Sequence, residues 1–187
     1  MVYINWRDTN NNIIDGAFQV KPKKIEDERG FFSRLIDKKV LEEKLNYKVD
    51  FIQVNNSLSV LKNTFRGFHL QLGKHSETKV VRCISGKVID YILDLRPKSK
   101  TFLNIGYIEL NPIDRNIAVL PKGCAHAIRT IEPNSEVIYL VDNEYNPLSE
   151  FGVRYNDKIL KNHFKDIKLI ISEKDKKWKD FEIGDIE

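Results

Sequence analysis

Between residues 51 and 145 the chain breaks into short apolar runs separated by turn signals, a rhythm that points to an all-β sandwich or barrel. The clearest unit is a hairpin. The run 80–84 leads into Ser85-Gly86-Lys87, and the run 88–95 follows. A glycine-containing loop between two apolar runs marks paired antiparallel strands. Further strands are expected at 102–110, 116–120, 125–131 and 136–142. Residues 1–20 read as extended pieces joined by the Asn10-Asn11-Asn12 turn, and Asp27-Glu28-Arg29-Gly30 is a second turn signal. One short helix fits 36–45, where Leu41 and Leu45 share a face. Beyond Asp157 a lysine-rich tail reads as short helices or turns around Leu169-Ile170-Ile171.

The 187 residues suit one domain with a real hydrophobic core. That domain divides into an N-terminal section (1–50), a barrel (51–157) and a tail (158–187). Hydrophobic residues at 41% and charged residues at 31% describe a soluble globular chain. A net charge of +4, with lysines scattered, fits a small anion such as a diphosphate better than nucleic acid. No apolar run approaches a membrane span, and the N-terminus has no basic stretch followed by an apolar one. The cytoplasm is therefore the expected location, with Cys83 and Cys124 reduced in apolar surroundings.

Four histidines could carry chemistry: His69, His75, His126 and His163. His69 and His126 each lie within an expected strand, where a lone histidine is more often a satisfied core residue than a ligand. Two imidazoles on one strand face need a His-x-His pair, because side chains alternate with a period of two. The residue two after His69 is Gln71, so no metal is expected. Arg66, Lys74, Lys79 and Arg82 are close in sequence. Arg66 and His69 differ in parity, so only a bulge or turn would bring them together. Tyr139 is a phenol in an apolar strand, and Asp175 looks like an ordinary surface acid. These residues predict a small barrel with two inward histidines, and no particular reaction.

The segment Arg66-Gly67-Phe68-His69-Leu70-Gln71 resembles the dTDP-4-dehydrorhamnose 3,5-epimerase family. So do Asp27-Glu28-Arg29-Gly30-Phe31-Phe32, Phe51-Ile52-Gln53-Val54-Asn55-Asn56-Ser57 and Lys79-Val80-Val81-Arg82-Cys83-Ile84-Ser85-Gly86-Lys87. Leu120-Pro121-Lys122-Gly123-Cys124-Ala125-His126 and Ser172-Glu173-Lys174-Asp175 continue the match over most of the chain. The resemblance implies a cupin jelly-roll β-barrel with a few short peripheral helices, in a homodimer that exchanges N-terminal strands. It implies no cofactor, no metal, no nucleic acid and no membrane. The implied substrate is a nucleotide-diphosphate 4-keto-6-deoxy sugar, inverted at C3, C5 or both.

A ketone acidifies the neighbouring C–H bonds, so a base on one face and an acid on the other can invert the carbon through an enolate. The resemblance assigns His69 as base, Asp175 as its carboxylate partner, Lys79 beside the enolate oxygen and Tyr139 as acid. It assigns substrate contacts to Arg29, Gln53, Asn55, Arg66, His126 with Asp90, Glu150 and Lys174. A 3,4-ketoisomerase, a non-catalytic sugar-nucleotide-binding cupin and a metal-dependent cupin oxygenase are the competing readings. The chain departs from the family pattern at Arg34, Asn56, Phe68, Leu140, Glu144 and Tyr155, positions expected to cluster where nucleotide and sugar are read.

Overall fold

The computed structural model describes residues 1–161 and 163–186. Its strands are β1 (Val2–Arg7), β2 (Ile13–Lys21), β3 (Ile25–Asp27), β4 (Gly30–Phe32), β5 (Gln53–Ser59), β6 (Thr64–Gln71) and β7 (Lys79–Ser85). They continue as β8 (Val88–Asp94), β9 (Ile105–Leu110), β10 (Ile117–Leu120), β11 (Cys124–Thr130), β12 (Ser135–Val141), β13 (Glu150–Gly152) and β14 (Ile170–Ile171). The α-helices among the described residues are α1 (Lys38–Leu45) and the single turn α2 (Glu173–Lys176), with short 3-10 turns at Gly73–His75, Lys158–Leu160 and Ile183–Asp185.

One sheet runs β1-β2-β10-β7-β12-β5, and the facing sheet runs β13-β6-β11-β8-β9, with β14 added parallel to β6. This is the jelly-roll arrangement that the family resemblance implies, and it agrees with the sandwich or barrel predicted from the short-strand rhythm. Strand alternation sorts the apolar residues into layers. Val81, Cys83, Ile92, Cys124, Ile128 and Val137 pack between the sheets. Tyr91, Leu93, Ala125 and Ala127 face outward from the second sheet, where Leu160, Phe164 and Phe181 of the tail cover them. Val80, Ile117 and Val119 face outward from the first sheet beneath Leu41 and Leu45 of α1.

Two boundaries differ from expectation for local reasons. The strand expected at 102–110 begins at Ile105, because Leu103 adopts φ 63° and donates its N–H to the Asp94 carbonyl at 2.8 Å. The helix expected at 36–45 begins at Lys38, because Asp37 is its N-cap and accepts the Lys39 N–H. Within the Leu169-Ile170-Ile171 run, Ile170 and Ile171 form the short strand β14, which the expectation of helices or turns around that run does not include. Ile170 and Ile171 pair with Thr64 and Phe65, which closes the tail onto β6.

Candidate active site

β6 carries the feature that assembles the site. Its partner register runs His126↔His69 and then Ile128↔Arg66, so three steps on β6 oppose two on β11. The extra residue is Gly67, at φ 123°, where an added Cβ would lie 2.4 Å from the His126 carbonyl oxygen. That bulge supplies the parity change Arg66 and His69 need. Phe65 and Phe68 both face the outer core, while Arg66 and His69 both face a cavity between the sheets.

The cavity has a volume of about 520 Å³. Arg66, His69 and His126 line it from the second sheet, and Lys79 and Tyr139 from the first. Ile128 and Val137 close it toward the core, and Lys174 and Asp175 line it from α2. A second compartment of about 390 Å³ shares His69, Lys79 and Tyr139 and adds Gln53, Asn55, Glu77, Tyr145 and Glu150. The two compartments together form one continuous cleft.

His69 Nε2 lies 2.7 Å from Asp175 Oδ1. Asp175 Oδ2 accepts the Gly67 N–H at 3.3 Å, and the Ser172 hydroxyl accepts the Asp175 N–H at 3.1 Å. Asp175 is only 4% exposed, so the tail acid is a buried partner and not a surface residue. Burial pushes its carboxyl upward, but the His69 hydrogen bond and charge, with the Gly67 N–H, hold it below the ordinary range. A histidine with a fixed carboxylate on one ring nitrogen has a set tautomer and a stabilised imidazolium.

His126 lines the cavity, and its Nε2 lies 2.9 Å from Asp90 Oδ2, which stands behind the wall. Asp90 is fully buried, and burial raises its carboxyl against the pull of His126 and Lys79. Tyr139 is raised first by burial and then by the nearby Glu77 carboxylate, with Arg66 opposing, so it stays a phenol over a wide pH range. Lys79 Nζ lies 3.0 Å from Glu77 Oε1, with both side chains nearly buried.

Arg66 donates from Nε to the Ser59 hydroxyl at 3.1 Å and from Nη2 to the Leu58 carbonyl at 3.2 Å, which fixes the guanidinium at the rim. Glu150 accepts from Lys174 Nζ at 2.6 Å and from the Tyr145 hydroxyl at 2.9 Å. Burial raises the Glu150 carboxyl, but Lys174 and Tyr145 outweigh it and hold it low.

The structure thus brings His69, Asp175, Lys79, Tyr139, Arg66, His126, Lys174, Gln53, Asn55 and Glu150 to one cleft, with Asp90 directly behind it. Arg29 is not among the lining residues. It sits on the β3–β4 hairpin, 81% exposed in its side chain and paired with Asp27 at 2.5 Å. Gln71 is buried and committed locally: Oε1 accepts the Asn146 N–H at 2.6 Å, and Nε2 donates to the Glu144 carbonyl at 3.0 Å. The cysteines are poor nucleophiles. Burial pushes Cys124 well above its ordinary value and Cys83 up to about 11.

One expectation is corrected. Arg34, Asn56, Phe68, Leu140, Glu144 and Tyr155 do not cluster at the cleft, and none of them lines either compartment. Arg34 pairs with Asp37 at the start of α1, and Leu140 packs beneath that helix. Phe68 and Tyr155 belong to the outer core. Asn56, Phe68 and Leu140 lie on strands whose pleat turns them away from the interior, whereas Arg34, Glu144 and Tyr155 stand in the segments between strands.

Sequence reading overlooked Glu77, Tyr145 and Ser172. Glu77 had a signal, since it lies two residues before Lys79 and so shares its side of an extended segment.

A family model described as dTDP-4-dehydrorhamnose 3,5-epimerase matches residues 11–182. The Shigella flexneri dTDP-4-dehydrorhamnose 3,5-epimerase is 34% identical over 155 residues, 83% of this chain and 85% of that protein. The crystal structure of the Elizabethkingia anophelis enzyme of the same name superposes with a TM-score of 0.87 at 33% identity, covering 97% of this chain and 96% of that one. A Legionella pneumophila dTDP-6-deoxy-D-glucose-3,5-epimerase, solved with dTDP-4-keto-L-rhamnose, gives 0.81 at 31% identity, covering 94% and 89%.

Proposed function

The chain belongs to the dTDP-4-dehydrorhamnose 3,5-epimerase family, and we propose that it inverts carbons flanking the ketone of a nucleotide-linked 4-keto-6-deoxy sugar. The observation that carries this reading is the opposition of His69 and Tyr139 across one cleft. They stand on facing sheets, His69 on β6 and Tyr139 on β12. Inversion needs a proton removed from one face of a ring and returned to the other, and a sugar between the sheets would present one face to each.

In this mechanism neutral His69 takes the proton from the carbon beside the ketone, and Asp175 stabilises the imidazolium that forms. The electron pair moves onto the ketone oxygen, where the Lys79 ammonium in a nearly closed wall meets the growing charge. Tyr139 then protonates the carbon from the opposite side. Arg66 and Lys174 supply the cations for a diphosphate. Gln53 and Asn55 offer amide donors and acceptors, while His126, held by Asp90, and Glu150 contact the sugar.

The working unit in this reading is a homodimer in the cytoplasm. Val54 and Leu58 of β5 are exposed at 68% and 51%, as are Phe31 and Phe32 on the β3–β4 hairpin at 51% and 67%. Arg29 lies outside its own cleft, so its proposed diphosphate contact is made in the partner's cleft. The two free, buried cysteines suit a reducing compartment.

The direct test is product analysis by NMR with dTDP-4-keto-6-deoxyglucose as substrate. The reading predicts a product inverted at C3, C5 or both. A product with its carbonyl moved to C3 identifies a ketoisomerase instead, and recovery of unchanged sugar with any nucleotide contradicts the proposal.

A further inference from the structure

Glu77 is neither the base nor the acid, yet it lines the same compartment as His69 and Tyr139. We infer that Glu77 is a positioning residue for this reaction, holding the Lys79 ammonium at the cleft wall and presenting its carboxylate to Tyr139. The inference rests on the epimerase reading above.

The loop that carries Glu77 is fixed from both sides. The Thr78 N–H donates to Asp142 Oδ1 at 2.6 Å, and the Thr78 hydroxyl meets the Tyr47 hydroxyl at 2.9 Å. The Ser76 hydroxyl donates to the Gln71 carbonyl at 3.1 Å, and Asn143 Nδ2 donates to the Lys74 and Ser76 carbonyls. Thr78 is fully buried. A carboxylate between such anchors has little freedom to turn toward solvent, and its side chain is only 10% exposed. Burying an ionised group is costly without a partner, and Lys79 at 3.0 Å is that partner. The other oxygen receives only a long contact of 3.4 Å from Gln71 Nε2. Glu77 is therefore anchored to Lys79.

The consequence is twofold. Lys79 sits on a flexible four-carbon stem, and a fixed counter-charge holds its ammonium in place before the enolate forms. The same carboxylate disfavours a tyrosinate at Tyr139, so the phenol keeps its proton to higher pH. The other charged or titratable groups lining the two compartments around these residues are Arg66 and His69 on β6, Lys174 and Asp175 on α2, Glu150 on β13, Tyr145, and the His126–Asp90 pair. Among them Arg66 acts on Tyr139 in the opposite direction.

Two variants separate charge from reach. Glu77→Gln keeps the shape and removes the charge. It should lower kcat by roughly 10- to 100-fold with KM changed less than about threefold, since an interaction made in the transition state is lost. The alkaline limb of its kcat profile should move to lower pH. Glu77→Asp keeps the charge but withdraws it by one methylene, so kcat should fall while the alkaline limb stays near that of the wild type. Wild-type kcat in Glu77→Asp, or an unmoved alkaline limb in Glu77→Gln, overturns the inference. A wild-type protein that fails to exchange solvent deuterium into any 4-keto sugar nucleotide defeats the epimerase reading instead, whatever the variants do.

Discussion

At the residue scale, the candidate chemistry depends on a contact that spans 106 positions, from His69 to Asp175. Nothing local to either residue announces it. His69 stands in an apolar strand, and Asp175 follows a lysine in a charged tail. A buried carboxylate has the opposite character to the surface acid its neighbours suggest. Resemblance to a family made the pair legible where spacing did not. Removing the partner charge with Asp175→Asn should lower kcat by about 10²- to 10⁴-fold, because the imidazolium loses its stabilising anion. Steady-state kinetics with substrate-binding measurements would check that affinity changes far less.

The same contact predicts a pH dependence of stability. The folded Asp175 carboxyl is held below its ordinary value, so its contribution is fully present above the unfolded pKa and is lost as pH falls through the folded one. The stability difference between wild type and Asp175→Asn should therefore hold from neutral pH to about pH 4 and shrink below it. Urea midpoints across that range measure it, and a difference that grows on acidification contradicts the assignment.

At the scale of elements, the β6 bulge turns an ordinary strand into the floor of a site. The sequence carried a trace of it. Phe65, Phe68 and Leu70 are apolar at an interval of three and then two, which no regular strand can place on one face. With Gly67 inserted, all three reach the outer core, and Arg66 and His69 share the cleft. Gly67→Ala combines a left-handed backbone conformation with a collision against the His126 carbonyl and the Ala127 side chain. It should cost roughly 2–4 kcal/mol of stability, read from denaturant midpoints. Activity in the remaining folded protein should also fall, because the relation of Arg66 to His69 changes.

The hairpin around Gly86 and the strands near 116–120, 125–131 and 136–142 were readable because alternation and turn chemistry are local. The strand at 102–110 lost its first residues to a left-handed turn at Leu103, and the tail strand β14 was missed. A two-residue strand has no periodicity of its own, and its position is set by the edge of β6 that it completes.

At the scale of the whole molecule, the outer faces of the two sheets are covered unequally. The tail covers the second sheet, and α1 covers part of the first, which leaves β5 as an edge strand with apolar side chains outward. An exposed edge of this kind invites pairing with another chain. The homodimer reading therefore predicts sedimentation at twice the chain mass, and Val54→Asp with Leu58→Asp should shift the protein toward the monomer. A monomeric wild type at micromolar concentration contradicts that reading and leaves Arg29 without a cleft to serve.

The central claim is that His69 and Tyr139 work from opposite sides of one sugar. It is tested most directly by following deuterium incorporation and inversion together, by NMR in deuterated water, for wild type, His69→Ala and Tyr139→Phe. The account predicts exchange with inversion in the wild type and neither in His69→Ala. In Tyr139→Phe it predicts residual exchange with inversion strongly impaired. Undiminished inversion in Tyr139→Phe, or exchange that survives in His69→Ala, would contradict it.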